Sequence, residues 1–185
     1  MTRLIAGTAG GRRLDVPPSG TRPTSDRVRE ALFSALDHDP GLSGTTVLDL
    51  CAGSGALGLE ALSRGAADAA FVESDRRAAG VLRKNLAAVG LGGRVLAGKA
   101  GTVLAGQAPL AFDVVLVDPP YAVPDAEVAG WLSSAAGNGW LADGASVVVE
   151  RARSSGAFAW PTGFAPERER RYGDTVLHRA RHAPT

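Results

Sequence analysis

The sequence has a single cysteine and only two lysines among 185 residues, and its three histidines are scattered. One cysteine excludes an intrachain disulfide and a cysteine-rich metal site. His38, His178 and His182 lack the spacing of metal ligands. No apolar run approaches the roughly 20 residues that a membrane-spanning helix needs, and the first residues lack the apolar region of a secretory signal. We therefore expect a cytoplasmic protein with no membrane span and no bound metal.

The charge is distributed unevenly along the chain, although the net charge is only +1. Residues 1–29 carry six arginines against two acids, and residues 151–185 carry seven against three. Residues 30–150 carry fourteen acids against seven bases. Because arginine grips phosphate and stacks on bases, basic ends around an acidic centre favour nucleic acid as a partner. A solvated surface with a bias toward arginine is the alternative.

A glycine pattern follows the apolar run that ends at Leu50. Gly53, Gly55 and Gly58 match GxGxxG and are followed by a helical stretch, which is the context of a nucleotide-binding loop. Glu73 ends the next apolar run, 20 residues after Gly53, where an acid usually binds ribose hydroxyls. A strand-end carboxylate in solvent is the alternative for Glu73.

Asp49 indicates which ligand the glycine loop holds. It lies four residues before Gly53, at the carboxyl end of the first core strand. A dinucleotide needs its pyrophosphate at the helix N-terminus, and a carboxylate there would repel it. The same carboxylate attracts an ammonium or a sulfonium. The position of Asp49 therefore favours S-adenosylmethionine over a dinucleotide.

A second loop, Asp118–Tyr121 with the sequence DPPY, follows the apolar strand 112–117. The carboxylate and the free carbonyls of the stiff prolines accept hydrogen bonds, and the tyrosine ring offers a stacking face. These groups are suited to holding a flat base by its exocyclic amine. An ordinary strand end with a Pro-Pro turn is the alternative.

The two loops together resemble the amino-methyltransferases of nucleic acids. The sequence of residues 22–30, RPTSDRVRE, is specific to fewer families than the glycine loop. It resembles the bacterial small-subunit (16S) ribosomal RNA guanine-N2 methyltransferase family of the RsmD type. The resemblance covers nearly the whole chain, including residues 3–14, 53–66, 139–141 and 172–175. The sequence departs from the pattern of this family at two positions. Lys99 stands where relatives often carry an acid or amide, so adenine recognition would use backbone groups near Lys99 and Ala100. Cys51 stands where many have an aromatic residue, and we interpret it as a small buried hydrophobe.

The resemblance implies an S-adenosylmethionine-dependent enzyme that methylates the N2 amine of a guanine in 16S ribosomal RNA, within an assembled or assembling small subunit. We expect a monomer. The catalytic candidates are Asp118, Pro119, Pro120 and Tyr121. The cofactor-binding candidates are Asp49, Ala52, Gly53, Ser54, Gly55, Glu73, Ser74, Lys99, Ala100 and Asp118. The substrate-binding candidates are Arg12, Arg13, Arg22, Thr24, Arg27 and Tyr121. For Thr24 the alternative is a cap on the following helix.

The expected fold is α/β, a Rossmann-like methyltransferase fold with a mainly parallel sheet. Strands are expected at 45–50, 69–73, 94–98, 112–117 and 145–150, and helices after Thr24 or Ser25 and at 56–64, 76–89 and 125–136. Residues 167–179 are expected to close the sheet as an antiparallel hairpin around Gly173. Residues 1–23 are predicted to form a β-hairpin arm that contacts RNA, and residues 24–185 the methyltransferase domain.

Two other functions stay open from the sequence. A DNA or RNA adenine-N6 methyltransferase could use the same DPPY loop, although the chain has no spare length for a domain that reads DNA sequence. A non-catalytic RNA-binding assembly factor could share the scaffold, although it would not need Asp118. Binding of S-adenosylmethionine by the purified protein separates this last case from the enzymes.

Overall fold

The computed structural model describes residues 2–18 and 24–184. The strands are β1 Thr2–Arg3, β2 Arg13–Leu14, β3 Thr46–Leu50, β4 Asp68–Glu73, β5 Arg94–Ala97, β6 Phe112–Val117, β7 Leu141–Ala152, β8 Phe164–Pro166, β9 Arg170–Tyr172 and β10 Thr175–His182. The helices are α1 Asp26–His38, α2 Ala56–Ser63, α3 Arg76–Val89, α4 Ala100–Ala105 and α5 Asp125–Gly137, with a 3-10 turn at Arg153–Ser155. Arg22, one of the substrate-binding candidates, lies outside the described residues.

The central sheet has the strand order β5-β4-β3-β6-β7-β10-β8, with β9 also paired to β10. The five strands from β5 to β7 are parallel, and β10 runs antiparallel to β7. The chain moves outward from β3 to β4 and β5, then returns to place β6 on the other side of β3. The strand order thus reverses between β3 and β6, and ligands of such sheets bind beyond the carboxyl ends of the strands at that point.

Helices cover both faces of the sheet and divide the core in two. On one face, α1 and α2 pack with the N-terminal hairpin, whose Leu4 and Leu14 are almost fully buried in the same cluster. On the other face, α4 and α5 pack over β6 and β7, with Phe112 stacked on Trp140. The N-terminal strands are therefore part of the packing of the main sheet in the described residues.

Local signals set the helix starts. Ser25 caps α1 by accepting a hydrogen bond from the Val28 amide at 3.3 Å, and Asp75 caps α3 through the Ala78 amide at 2.8 Å. The helix α2 starts after Gly55, whose φ of 86° is in the left-handed region. A Cβ on Gly58 would lie 2.3 Å from Phe71 Cε1, so this glycine allows α2 to pack closely on β4.

The fold predicted from the sequence is confirmed in its main features, including the parallel strands and the antiparallel end. Three details differ. The helix α4 and the strand β8 were not predicted, and β7 starts four residues earlier than expected. The proposed division at residue 23 lies in the undescribed segment 19–23 and stays a prediction. No helix in the described part of the chain combines the length and apolar character needed to cross a bilayer.

Candidate active site

A cavity of about 360 Å³ lies at the switch point between β3 and β6. It brings together residues from seven separate stretches of the sequence. The predicted site residues that line it are Thr24, Asp49, Ala52, Gly53, Ser54, Glu73, Ser74, Ala100, Asp118 and Pro120. The described residues that line it without having been predicted are Thr2, Val16, Pro17, Arg29, Cys51, Ala56, Leu57, Val72, Asp75, Ala78 and Gly98.

Glu73 is fixed by the glycine loop. Its Oε1 accepts a hydrogen bond from the Gly53 amide at 2.8 Å, and its Oε2 accepts one from the Asp75 amide at 2.9 Å. Each carboxylate oxygen has a further lone pair. Gly53 has a φ of 56°, and no atom lies within 4 Å of the position of a Cβ there. The loop therefore leaves room for a ligand beside an anchored carboxylate.

Asp49 is almost fully buried at the end of β3. Its Oδ2 accepts a hydrogen bond from the Gly58 amide at 2.9 Å, whereas Oδ1 has no hydrogen-bond partner in the described part of the chain. Burial raises the pKa of Asp49 to about 7, the Gly58 hydrogen bond opposes the shift, and the charge of Glu73 adds to it. A buried acceptor without a partner, on the wall of a cavity, fits the ammonium of the methionine end of S-adenosylmethionine.

Asn85 joins the cofactor loop to the N-terminal segment. Its side-chain amide donates to the carbonyls of Ser54 at 2.8 Å and Asp15 at 2.9 Å, and its Oδ1 accepts from the Asp15 amide at 3.0 Å. Asn85 was not predicted from the sequence, because it lies inside the amphipathic helix α3, outside every motif. Its burial follows only from how α3 packs.

Cys51 takes a φ of 59°, unusual for a residue other than glycine. Burial raises the pKa of its thiol to about 12, and the charges of Glu73, Asp49 and Asp118 add to the shift. The thiol is therefore neutral, which agrees with the interpretation of Cys51 as a small apolar side chain. Its side chain is half-buried at the cavity wall.

Thr24 joins two carboxyl groups. Its hydroxyl oxygen lies 3.1 Å from Asp118 Oδ2 and 2.8 Å from Glu150 Oε2. The cap of α1 is Ser25, so Thr24 is free of the capping role considered as its alternative. Burial raises the pKa of Asp118 well above its usual range, with the charge of Glu150 as the next cause, and burial also raises the pKa of Glu150.

The loop after β6 is held by Arg151, a buried side chain on β7. Its guanidinium donates to Asp125 Oδ1 at 2.7 Å, to the Pro120 carbonyl at 3.4 Å and to the Val123 carbonyl. Tyr121, at the outer end of the loop, is 55% exposed. The charge analysis counted Arg151 among the basic groups of the C-terminal segment, but its burial makes it a support for the loop.

Four of the predicted catalytic and cofactor-binding residues do not line the cavity. Gly55 instead starts α2, where a Cβ would lie 2.4 Å from Leu82 Cδ1. Lys99 is exposed at the start of α4, while its neighbours Gly98 and Ala100 do line the cavity. Pro119 is buried in the loop after β6, and Tyr121 points outward from it.

Only part of the terminal positive charge is accessible. Arg29 is buried against Asp26 and the backbone carbonyl of Arg3, with Glu60 at 3.9 Å. Arg179 and Arg181 form ion pairs with Glu167 and Asp39.

The predicted substrate-binding residues Arg12, Arg13 and Arg27 are exposed, and the Arg12 guanidinium donates to the Ala88 carbonyl. In residues 2–18 and 24–184, no group of three or more metal-binding side chains is clustered.

Comparison with known proteins gives consistent matches. The family model described as Conserved hypothetical protein 95 matches residues 2–181. The chain is 43% identical over 176 residues to the ribosomal RNA small subunit methyltransferase D of Escherichia coli K12, which covers 94% of this chain and 86% of that protein. The protein of the same description from Haemophilus influenzae is 40% identical over 153 residues, covering 80% of this chain and 77% of its own.

Among solved structures, a putative methyltransferase, yhhF, from Escherichia coli superposes with a TM-score of 0.88 at 39% identity. The match covers 100% of this chain and 99% of that one. The fold is thus the Rossmann-like fold of S-adenosylmethionine-dependent methyltransferases, and the family resemblance inferred from the motifs is confirmed. The chain belongs to the ribosomal RNA small subunit methyltransferase D family.

Proposed function

We propose that this protein transfers a methyl group to the exocyclic N2 amine of a guanine in 16S ribosomal RNA. The observation that carries the proposal is the position of Asp118. The first residue of the DPPY loop lies on the wall of the same cavity as Asp49, Gly53 and Glu73. The DPPY loop, which we propose holds the base, and the glycine loop, which we propose holds the cofactor, therefore line one cavity. The relatives named as small-subunit ribosomal RNA methyltransferases support RNA as the substrate class.

The methyl donor is S-adenosylmethionine, which supplies an electrophilic methyl group on its sulfonium sulfur when bound. Asp49 Oδ1 would pair with the ammonium, and Glu73 would accept hydrogen bonds from the ribose hydroxyls. The backbone of the loop 52–54 would approach the methionine end. Ser74 and the backbone around Lys99 and Ala100 would border the adenine.

The target amine is a weak nucleophile because its lone pair is delocalised into the base. Asp118 and the Pro119 carbonyl would accept hydrogen bonds from its protons, which aligns the nitrogen with the methyl group and favours the positive charge that develops on it. Tyr121 would stack on the base after the base has left its helix or loop. The bond from Arg151 to the Pro120 carbonyl keeps this loop in place.

RNA outside the target base would be held by exposed positive charge on the protein. Arg12, Arg13 and Arg27 are the candidates for phosphate contacts, and Arg22 belongs to the same hypothesis. A monomer this small would obtain most of its selectivity from the shape of an assembled or assembling subunit. The basic segment 1–23, whose described part contains the paired strands β1 and β2, is proposed to contact that RNA.

The test is methyl transfer from labelled S-adenosylmethionine to small ribosomal subunits that lack native methylation, with naked 16S RNA and duplex DNA as parallel substrates. Asp118→Ala removes the acceptor, and Asp143→Asn changes an exposed carboxylate that does not line the cavity. We expect label on a guanine N2 in the RNA with the wild type and with Asp143→Asn. We expect a loss of at least about a hundredfold with Asp118→Ala.

Label on adenine in DNA or RNA would contradict the guanine assignment. Cofactor binding without transfer to any of the three substrates would instead support a non-catalytic assembly factor. Transfer to subunits but not to naked RNA would assign the assembled particle as the substrate.

A further inference from the structure

We propose that Glu150 takes up the proton that leaves the methylated amine, receiving it through Asp118 and the hydroxyl of Thr24. This inference rests on the proposed methyl transfer and adds the route of proton loss. Glu150 does not reach the base in this arrangement. It acts through Asp118 and is therefore a positioning residue for the reaction.

Thr24 has too few protons to donate to both of the carboxyl groups that it contacts. The Thr24 oxygen lies within hydrogen-bonding distance of two carboxyl oxygens, at 2.8 Å and 3.1 Å. A threonine hydroxyl has one proton, so it donates to only one of them. The other contact is a hydrogen bond only if that carboxyl group carries a proton and donates it to Thr24. The geometry therefore fits a pair of carboxyl groups that shares one proton at rest.

The surroundings indicate which carboxyl group holds that proton. Thr24 is closer to Glu150, as expected if it donates to an ionised Glu150. Burial opposes the ionisation of Asp118 most, and the charges of Glu150 on β7 and Asp49 on β3 oppose it further. Arg151 favours its ionisation from β7, but its guanidinium is committed to Asp125 and to two loop carbonyls. Neutral Cys51 adds no charge. Asp118 is thus the protonated member, and its raised pKa agrees with this.

The proton transfer then balances without any other reactant. The amine nitrogen bonds to the methyl group as the methyl–sulfur bond breaks, and the electron pair of that bond stays on sulfur. The positively charged nitrogen gives a proton to Asp118 Oδ1. The proton on Asp118 Oδ2 passes to Thr24, and the Thr24 hydroxyl proton passes to Glu150. The carboxyl pair goes from a charge of −1 to neutral and returns its extra proton to solvent after the product leaves.

The experiment has two readouts. The first follows the carboxyl carbons of Asp118 and Glu150 by ¹³C NMR during a pH titration of the protein without RNA. We expect Asp118 protonated and Glu150 ionised near neutral pH. In Glu150→Gln, we expect Asp118 to titrate about one unit lower, because a like charge is gone.

The second readout is the single-turnover rate of methyl transfer as a function of pH. Glu150→Gln and Thr24→Val should lower the rate about 10- to 100-fold and remove the fall in rate that accompanies Glu150 protonation at low pH. Thr24→Ser keeps the hydroxyl and should restore the wild-type profile. Glu127→Gln is the matched control, since Glu127 is exposed on α5.

Wild-type rates and an unchanged pH profile in Glu150→Gln would overturn the inference. So would NMR spectra with Asp118 ionised and Glu150 protonated near neutral pH. If the wild type methylates no nucleic acid, the proposed function fails. The NMR titration is independent of that outcome and still decides whether the pair shares a proton.

Discussion

Asp49 Oδ2 accepts a hydrogen bond from the Gly58 amide at 2.9 Å, so one carboxylate connects the carboxyl end of β3 to the first turn of α2. This bond engages one oxygen of the buried carboxylate, and Oδ1 has no hydrogen-bond partner among the described residues. Because burial dominates the shift that raises the pKa of Asp49 to about 7, its charge state changes within the physiological range.

The first prediction concerns the pH dependence of cofactor binding. Only ionised Asp49 attracts the ammonium, so below a pH of about 7 the affinity for S-adenosylmethionine should fall about tenfold per unit and level off above it. Isothermal titration calorimetry at pH values on both sides of 7 measures this affinity. Methylthioadenosine, which lacks the ammonium, should bind with little pH dependence. A pH-dependent affinity in Asp49→Asn would contradict the assignment.

The second prediction concerns the close packing of α2 on β4. In Gly58→Ala, the new methyl group would lie 2.3 Å from the Phe71 ring. We expect a loss of about 1–3 kcal/mol in the free energy of unfolding, measured with urea. Gly80→Ala is the matched control, because Gly80 lies inside α3 with open space at the Cβ position. The Gly80→Ala substitution should raise the free energy of unfolding by about 0.5–1 kcal/mol. Equal effects of both changes would refute the packing argument.

The third prediction separates stacking from folding at Tyr121. The side chain is 55% exposed, so Tyr121→Ala should leave the unfolding midpoint unchanged. Loss of a stacked base should cost about 1–3 kcal/mol in binding of RNA that contains the target guanine. Tyr121→Phe keeps the ring and should bind nearly as well as the wild type. Equal affinities for the alanine and phenylalanine variants would exclude stacking.

The fourth prediction compares two arginines with different surroundings. Arg27 is exposed in the first turn of α1, whereas Arg181 is bound to Asp39 and Glu167. Arg27→Gln should weaken RNA binding and lower the slope of log K against log salt by about one. Arg181→Gln should change neither quantity in filter-binding or fluorescence titrations. A larger loss of RNA affinity in Arg181→Gln than in Arg27→Gln would assign the RNA surface to the C-terminal strands.

The sequence predicted those parts of the fold that depend on neighbouring residues. Apolar strands, the glycine loop and the DPPY loop each carry their signal within a dozen residues, and their order predicts a parallel sheet. The strand β8 was missed because Phe164–Pro166 has only three residues. The helix α4 was missed because its six residues are too few to show a helical period.

The candidate site was predictable where the sheet itself brings residues together. Asp49, Glu73 and Asp118 each lie at or just beyond the carboxyl end of a parallel strand, so the topology alone places them at one edge. Thr24 and Glu150 lie 126 residues apart, and no periodicity in the sequence connects them. Arg151 was misread for a related reason, since a charged residue near a basic tail gives no sign that it will be buried. The roles assigned to individual site residues stay predictions.

The two-sided bonding of Asn85 limits what evolution and engineering can place at that position. Hydrogen bonding to both Asp15 and Ser54 requires a donor and an acceptor on one short side chain. Aspartate lacks the donor, leucine lacks both, and glutamine carries its amide one carbon further out. Position 85 should therefore tolerate few substitutions, although it lies outside every recognisable motif. A change in the backbone path at Asp15 would therefore also disturb the glycine loop at Ser54, because the same side chain holds both.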